Sequence, residues 1–275
     1  MKKLLRKIKN NRKIQAFILI IVLIICAGIF WYIKTNPVMP QLTIYFLNDV
    51  KLPEKGQKVL VFSPHPDDET IACGGYIIES VQRGAEVKII LVTDGDKRNL
   101  KDLRYSEFET AASILGVPAN HLVFLDYPDG KLAQQSQTEL EKNFQNQIDS
   151  YYPDIILYPH PSDTHKDHIT IGKIVEKILE QSPDKKIAYK YLVHHPLYPH
   201  PKKYAPYLYT LPPISLITFD GGWERLMLSE ETKNLKQKAL ASYKSQLKNP
   251  LLKNLLESSI RENELFAVES YPDSP

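Results

Sequence analysis

Residues 59–69, VLVFSPHPDDE, decide how this chain folds. The apolar first half predicts a buried strand, which the two prolines end. An imidazole and three consecutive carboxylates follow, at the point where a helix begins. Three adjacent acids are costly in a packed core, whereas a metal ion and a water molecule would use them. The stretch therefore predicts one part of a metal site.

The charge distribution argues against nucleic acid as a partner. The chain has 275 residues, of which 43% are hydrophobic and 24% charged, as expected for one large α/β domain with an appendage. Eight of the 35 basic residues and none of the acidic residues lie in residues 1–34. The remainder is mildly acidic, and a nucleic-acid-binding surface needs the opposite charge.

The N-terminal region predicts a membrane anchor. Ala16–Ile33 is an uncharged stretch that would form a helix roughly 27 Å long, close to the hydrocarbon thickness of a bilayer. Trp31 and Tyr32 lie at its far end, and seven Lys/Arg precede it. The positive-inside rule then predicts a cytoplasmic basic segment (1–15), a transmembrane signal anchor (16–33) and an extracytoplasmic body of a single-pass cell-membrane protein.

A cleaved signal peptide is the alternative for this region. Possible cleavage sites near its end carry Ile, Cys or Phe where small residues are needed, and Ile25-Cys26 is a poor lipoprotein site. The uncleaved anchor is therefore favoured. The other cysteine, Cys73, predicts a small core residue, and two cysteines imply no disulfide framework.

The body of the chain alternates between strands and helices. Residues 34–57 predict a proline-containing tether, in which Leu42–Leu47 could form a short edge strand. Predicted strands are Lys58–Ser63, Glu86–Thr93, His121–Leu125, Asp154–Tyr158 and Ile187–His194. Predicted helices are Thr70–Arg83, Leu100–Leu115, Gln137–Tyr151, His165–Gln181, Glu230–Leu247 and Leu251–Ser259. This alternation indicates a Rossmann-like three-layer α/β fold with a mostly parallel sheet.

The polar loops of this fold all follow strands, so they meet at one edge of the sheet, where open α/β sheets bind their ligands. The first turn lacks a G-x-G-x-x-G loop, which disfavours a dinucleotide. Pro196–Pro213 breaks the alternation with six prolines and four tyrosines. This segment predicts a structured loop or lid that stacks on a sugar, or equally a cover packed on the sheet edge.

A second polar cluster, residues 160–168, completes the metal site. His165 and His168 are three residues apart, as are His65 and Asp68. Two imidazoles and a carboxylate from two loops of one sheet edge are typical of a catalytic zinc with an open coordination position. Of the adjacent acids, one would bind the metal and its neighbour would act as a base. Acids at a helix start can also serve only as caps, which suffices for Glu69.

These residues resemble the PIG-L/LmbE-like deacetylases, zinc enzymes that remove acetyl groups from N-acetylglucosamine-containing substrates. The motifs that carry the resemblance are Pro64–Glu69, Gly74-Gly75, Thr93–Gly95, Arg104-x-x-Glu107, Leu125–Gly130, His165-x-Asp167-His168, Tyr243–Gln246 and Asn263–Phe266. The resemblance implies a deacetylase domain over residues 58–270, and an amino-sugar or glycan as the substrate.

The resemblance also implies a role for each site residue. The zinc ligands would be His65, Asp68 and His168, with another divalent metal such as Fe²⁺ as the alternative. Asp67 would be the general base for the zinc-bound water. His165 would stabilise the oxyanion or protonate the leaving amine, and Asp167 would orient its ring and keep it charged. Candidate substrate contacts are Arg104, Asp94 and Asp126, of which the last two could instead cap loops.

Three hypotheses about function follow. The first is a membrane-anchored, zinc-dependent N-deacetylase of an amino-sugar outside the cytoplasmic membrane. The second is a zinc amidohydrolase of a non-sugar amide, and the third is a sugar-binding protein without catalysis. A serine mechanism is disfavoured because the chain has no G-x-S-x-G motif. The sequence gives no indication of an oligomeric state.

Overall fold

The computed structural model describes residues 11–35, 37–97, 99–184, 186–217 and 221–269. Most of the predicted cytoplasmic segment (1–15) therefore lies outside the described residues. The first helix, α1, spans Arg12–Thr35 and contains an apolar stretch, Arg12–Tyr32, long enough to cross a membrane. None of this stretch is buried against the rest of the chain. The sequence and the structure thus agree on one candidate membrane helix.

The folded body consists of short helices and strands in regular alternation. The strands are β1 (Asn48–Asp49), β2 (Lys58–Ser63), β3 (Glu86–Thr93), β4 (Leu122–Tyr127), β5 (Ile155–Pro159), β6 (Ile187–Tyr191), β7 (Gly221–Met227) and β8 (Asn263–Glu269). The helices are α2 (Asp68–Gln82), α3 (Lys101–Ile114), α4 (Gln137–Tyr151), α5 (Lys166–Gln181), α6 (Glu230–Leu240), α7 (Lys244–Leu247) and α8 (Pro250–Ser258).

All described strands form one sheet in the order β1-β7-β8-β6-β5-β2-β3-β4, in which β8 alone runs antiparallel to its neighbours. The strands β2 to β6 follow the order of a doubly wound sheet, and this order reverses between β2 and β5. A ligand site is expected at that reversal. The prediction of a three-layer α/β fold with a mostly parallel sheet is confirmed.

Alternate residues of the central strands face opposite helical layers, because successive side chains of a strand point to opposite faces. Val59 and Val61 of β2 pack with the layer that contains α2, α3, α6 and α8. Leu60 and Phe62 pack with the layer that contains α4 and α5. The buried apolar run of residues 59–62 is therefore the centre of both cores.

Two glycines allow close approaches between a helix and its neighbours. A Cβ at Gly172 of α5 would lie 2.5 Å from the backbone carbonyl oxygen of Pro159, at the end of β5. A Cβ at Gly75 of α2 would lie 2.5 Å from Cδ2 of Leu228. The first contact is with backbone and the second with the tip of a side chain, so only the second neighbour can move aside easily.

The prediction of an edge strand at Leu42–Leu47 was wrong. Gln41–Phe46 is a 3₁₀ helix, whose inward residue Ile44 is 1% exposed. The strand that joins the sheet edge is instead β1, which pairs with β7. Residues 38–50 therefore pack on the domain, although the sequence predicts a tether over 34–57. The pattern of apolar residues could not reveal this packing, because Ile44 is the one residue of the 3₁₀ helix that is buried.

The C-terminal part also departs from the sequence prediction. The predicted helix Glu230–Leu247 is divided into α6 and α7 by a turn, and β7 and β8 were missed. The Pro/Tyr-rich segment Pro196–Pro213 contains two cis peptide bonds. The fully buried side chain of Arg261 contacts this segment. The Arg261 guanidinium donates hydrogen bonds to the carbonyl oxygens of Ala205 and Pro201. The segment is thus a fixed part of the domain.

Candidate active site

The candidate site lies where the strand order reverses. The loop after β2 carries His65 and Asp67 and leads into α2, whose first residue is Asp68. The loop after β5 ends at His165 and leads into α5, which carries His168. Because β2 and β5 are parallel neighbours, their carboxyl ends bring the two loops together. Residues 100 positions apart in the sequence therefore meet at one edge of the sheet.

The three predicted metal ligands converge on one point. Oδ2 of Asp68 lies 3.0 Å from Nδ1 of His65 and 3.0 Å from Nε2 of His168. The two imidazole nitrogens are 3.4 Å apart. Ligand atoms on a tetrahedral zinc, each at about 2.0–2.1 Å from the ion, would be separated by roughly 3.3 Å. The donor set and its spacing fit a divalent metal.

Each of the two histidines is backed by carboxylates. On the far side of the His65 ring, Nε2 lies 3.1 Å from Oδ2 of Asp167 and 3.4 Å from Oδ1 of Asp129. Nδ1 of His168 lies 3.5 Å from Oδ2 of Asp163. Carboxylates in this position fix the orientation and tautomer of metal-binding histidines.

The surroundings of the site favour a positive charge. Burial lowers the pKa of His168, but the Asp68 and Asp163 carboxylates outweigh it and raise the pKa to about 9. Within the described residues, the buried Oδ1 of Asp68 makes no hydrogen bond. A buried carboxylate oxygen without a donor, in surroundings where carboxylates stabilise positive charge, is satisfied when a cation binds.

The prediction for Asp167 needs correction. Its carboxylate does not orient His165, because its oxygens bind His65 and the backbone N–H groups of Gly130 and Leu132. His165 instead accepts a hydrogen bond at Nδ1 from the backbone N–H of Asp167, at 3.3 Å. The start of α5 turns the carboxylate towards the other loop, which sequence spacing did not reveal.

The His165 ring is also not held in the charged form by Asp167. Burial, with the nearby His65 and His168, lowers the pKa of His165 to about 4. The ring lies edge-on to His65, with centroids 4.6 Å apart. Because Nδ1 accepts a backbone hydrogen bond, the proton of the neutral ring is on Nε2. His165 is therefore a neutral hydrogen-bond donor next to the ligand cluster.

Asp67 lies beside the ligand cluster in an unusual conformation. Its φ angle is 127°, which a residue other than glycine rarely adopts. Burial raises the pKa of Asp67 to about 8, against the opposing charge of Arg104, whose Nη2 lies 3.7 Å from Oδ2. A carboxyl group that titrates near neutral pH is suited to accept and return a proton.

Arg104 connects the loops around Asp67. It is 4% exposed, and its guanidinium donates hydrogen bonds to the carbonyl oxygens of Pro66 and Gly95, both at 2.9 Å. It also lies 3.4 Å from Oδ2 of Asp129. These contacts are made with the protein, so the structure supports a positioning role, and the substrate contact implied by the resemblance stays a prediction.

The other two candidate substrate contacts have structural partners. Asp94 accepts hydrogen bonds at Oδ1 from the backbone N–H groups of Asp96 and Asp129. Asp126 is half-exposed, accepts a hydrogen bond from Tyr105 and pairs with Lys101. Both residues thus support loops, which is the alternative that the sequence left open.

Glu69 does more than cap a helix. It is fully buried, and its carboxylate accepts hydrogen bonds from the hydroxyls of Ser63, Thr70 and Tyr243. It also accepts a 3.3 Å hydrogen bond from the backbone N–H of Asp67. Burial raises the pKa of Glu69 despite these donors. The residue fixes the strained turn that carries Asp67.

Sequence reasoning missed three residues of the site, namely Asp129, Asp163 and His194. Nε2 of His194 lies 3.9 Å from Oδ1 of Asp68, and its ring contacts those of His165 and His168. Burial lowers the pKa of His194 to about 4. Asp68, His168 and His194 also form a possible metal-binding group. His194 was included in the predicted last strand, where no motif marked it.

Comparisons with known proteins find similarity to deacetylases. Residues 60–179 match the model of the PIG-L family, described as GlcNAc-PI de-N-acetylase. A probable N-acetyl-alpha-D-glucosaminyl L-malate deacetylase 2 of Bacillus anthracis is 27% identical over 141 residues, which cover 46% of this chain and 62% of that protein. A diacetylchitobiose deacetylase of Thermococcus kodakarensis is 35% identical over 137 residues, which cover 46% of this chain and 48% of that protein.

A solved structure shows the same fold. The N,N'-diacetylchitobiose deacetylase from Pyrococcus horikoshii superposes with a TM-score of 0.55 at 22% identity, over 72% of this chain and 73% of that one. The chain spans about half to two thirds of the length of the two curated relatives. The similarity to the PIG-L family model thus covers residues 60–179, which is less than half of this chain.

Proposed function

We propose that this protein is a zinc-dependent hydrolase that removes the acetyl group from an N-acetylated amino-sugar. The observation that carries the proposal is the convergence of His65, Asp68 and His168 within 3.0–3.4 Å, with Asp67 next to them. The names of the relatives, which are deacetylases of glucosamine-type compounds, support the substrate class.

The three converging residues would hold the metal. Zinc bound there would polarise the amide carbonyl and lower the pKa of a water molecule. Fe²⁺ is the alternative ion, since imidazole and carboxylate ligands also suit it. The carboxylates behind the histidines, Asp129, Asp163 and Asp167, would keep both rings in the orientation that metal binding requires.

Asp67 would act as the general base. Its carboxylate would accept the proton of the attacking water and pass it to the leaving amine. Its position beside the ligand cluster and its burial, which raises its pKa, favour the role of proton acceptor. The Arg104 guanidinium and the Glu69 carboxylate hold the turn on both sides of Asp67. Correct placement of the base thus depends on two buried residues, one on each side of the turn.

His165 would stabilise the charge that develops on the amide oxygen. The neutral ring carries its proton on Nε2 and can donate it in a hydrogen bond, without the cost of holding a second positive charge beside the metal. The role implied by the resemblance is therefore retained, with a neutral donor in place of a charged one.

The location is proposed from the N-terminal helix. We infer that α1 anchors the chain in the cell membrane as a single span, with the N-terminus in the cytoplasm and the catalytic domain outside. The lack of buried residues in the apolar stretch Arg12–Tyr32 and the seven basic residues before Ala16 support this topology. Substrates would then be envelope glycans or other amino-sugar compounds at the outer face.

Metal analysis and acetate release test the activity together. The purified protein is expected to contain about one zinc per chain and to release acetate from a GlcNAc-type compound. In Asp67→Asn, turnover should fall by about 10²- to 10⁴-fold while the metal content is retained. Full activity of this variant would contradict the mechanism, and Glu54→Gln, on the exposed loop before β2, is the matched control.

The choice of substrates separates the remaining hypotheses. Release of acids other than acetate, from amides that lack a sugar, would indicate a zinc amidohydrolase of another substrate class. Binding of diacetylchitobiose or N-acetylglucosamine to the zinc-loaded protein without any turnover would indicate a sugar-binding protein.

A further inference from the structure

The 3₁₀ helix Gln41–Phe46 has an outward face that is unusually apolar. Leu42, Tyr45 and Phe46 are 71%, 69% and 85% exposed. Their spacing places them on one side of the helix, opposite the buried Ile44. Three adjacent large apolar side chains on the surface of a folded domain indicate a surface that another phase or molecule covers.

The exposure of this face is imposed by the fold. Ile44 belongs to a buried cluster that includes Val38, Leu211 and Trp223. The side chain of Gln41 hydrogen-bonds to the backbone N–H and carbonyl oxygen of Tyr209. Because the inward side is fixed by these contacts, the three outward residues cannot turn into the domain.

The position of the helix in the chain identifies what covers it. Only residues 36–40 separate it from the end of α1 at Thr35, so Gln41 lies at most about 20 Å from the membrane helix. No acidic residue occurs in the sequence before Asp49. Tyrosine and phenylalanine are suited to the boundary between headgroups and acyl chains.

We propose that Leu42, Tyr45 and Phe46 form a membrane-docking surface that enters the outer interface of the bilayer. This proposal rests on the proposed anchoring by α1 and adds that the catalytic domain lies against the membrane instead of swinging on a tether. The occupant of the surface is the lipid of the same membrane in which the anchor lies.

Docking would also position the candidate site. Residues 37–39 pair with residues 212–214. The backbone N–H of Met39 donates a hydrogen bond to the carbonyl oxygen of Pro212, and Val38 forms an isolated antiparallel β-bridge with Pro213. Ser215 lies 3.4 Å from Nε2 of His195, which follows the site residue His194. The segment that joins the anchor to the domain thus packs on 212–214, beside Ser215 and its contact His195. Docking would hold this part of the domain near the headgroups.

Spin labelling of the full chain in lipid vesicles tests this surface. A nitroxide is attached at Phe46→Cys, in a Cys26→Ala background in which the only other cysteine, Cys73, is buried. The ratio of oxygen to water-soluble nickel-complex accessibility is then measured. The matched control is Tyr152→Cys, a 63% exposed tyrosine that follows α4 and precedes the amino end of β5. Tyr45→Cys is a second probe in case Phe46→Cys misfolds.

The proposal expects a ratio several-fold higher at position 46 than at position 152. Equal, water-like ratios in protein that co-floats with the vesicles would overturn docking and leave the anchor intact. Loss of co-flotation would overturn anchoring and docking together, while acetate release would still report on the deacetylase. A label at position 46 shielded from both reagents would show that a protein partner or a second copy covers the surface, which also overturns the proposal.

Discussion

Oδ2 of Asp167 lies 3.1 Å from Nε2 of His65, across the two loops that form the candidate metal site. The same oxygen accepts a 2.7 Å hydrogen bond from the backbone N–H of Gly130, in the loop after β4. One carboxylate therefore joins three loops of the sheet edge and fixes the ring of a predicted zinc ligand. It would hold one proposed metal ligand in place from the side of the ring that faces away from the other two.

This relationship predicts that Asp167 sets metal affinity. Asp167→Asn keeps the shape of the side chain but removes the charge that orients His65 and raises its basicity. We expect zinc affinity to fall by about 10- to 100-fold, measured by competition with a chromophoric chelator. The control is Asp102→Asn, which removes an exposed carboxylate at the start of α3. Unchanged affinity in Asp167→Asn would show that the His65 ring is held by other contacts.

The contacts of Arg104 predict that its substitution lowers kcat with little change in KM. Arg104→Lys cannot bridge the carbonyl oxygens of Pro66 and Gly95 at once, because lysine lacks the planar fork. We expect kcat to fall by at least about 10-fold with KM changed by less than about 2-fold. The free energy of unfolding should fall by about 3 kcal/mol, since a buried charge loses part of its pairing. A large rise in KM alone would instead identify Arg104 as a substrate contact, and the exposed Arg83→Lys is the control.

Metal removal predicts a loss of stability. Without a cation, the carboxylates of Asp68, Asp163 and Asp167 remain buried around two imidazoles. Bound metal at about 100-fold above its dissociation constant would stabilise the folded state by about 2.7 kcal/mol. Differential scanning fluorimetry should therefore show a lower Tm after chelation and recovery on adding zinc. The recovery should be absent in His168→Ala, and a Tm that is indifferent to chelation in the starting protein would argue against a bound metal.

The two close approaches of glycine predict substitutions of unequal cost. Gly172→Ala would place a methyl group against the carbonyl of Pro159, which cannot move without displacing the loop that leads to His168. We expect a loss of more than about 3 kcal/mol in stability and weaker zinc binding. Gly75→Ala should cost about 1–3 kcal/mol, and Leu228→Ala should recover part of it because that side chain is the obstacle. Equal effects of the two glycine substitutions would contradict this difference.

The sequence predicted the parts of the fold that depend on local patterns. The strands Lys58–Ser63 and Glu86–Thr93 and the helix Gln137–Tyr151 have the predicted bounds, because their periodicity and flanking residues leave one interpretation. The strands β7 and β8 were missed because polar residues such as Asn263 and Glu264 interrupt the pattern. The side chain of Asn263 pairs with Thr210 and that of Glu264 with the backbone of α2, and both partners are far away in the sequence.

The sequence predicted most residues of the candidate site, but it did not predict their hydrogen-bond partners. The two ligand clusters follow strands, so topology alone brings them together. The partners of Asp167 and Arg104 depend on how loops turn after the strands end, and no spacing rule reports that. His194 is the same kind of case, since only the folded sheet edge places it beside Asp68.

The division of the proposed ligands between two loops would determine when a metal can bind during synthesis. His65 and Asp68 are made about a hundred residues before His168, so a growing chain offers only part of the ligand set for much of its translation. With the domain outside the membrane, as proposed, the ligand set is completed only after residue 168 has been translocated. The ion would then be taken from the extracytoplasmic supply, and the metal found in the mature protein would report on that compartment.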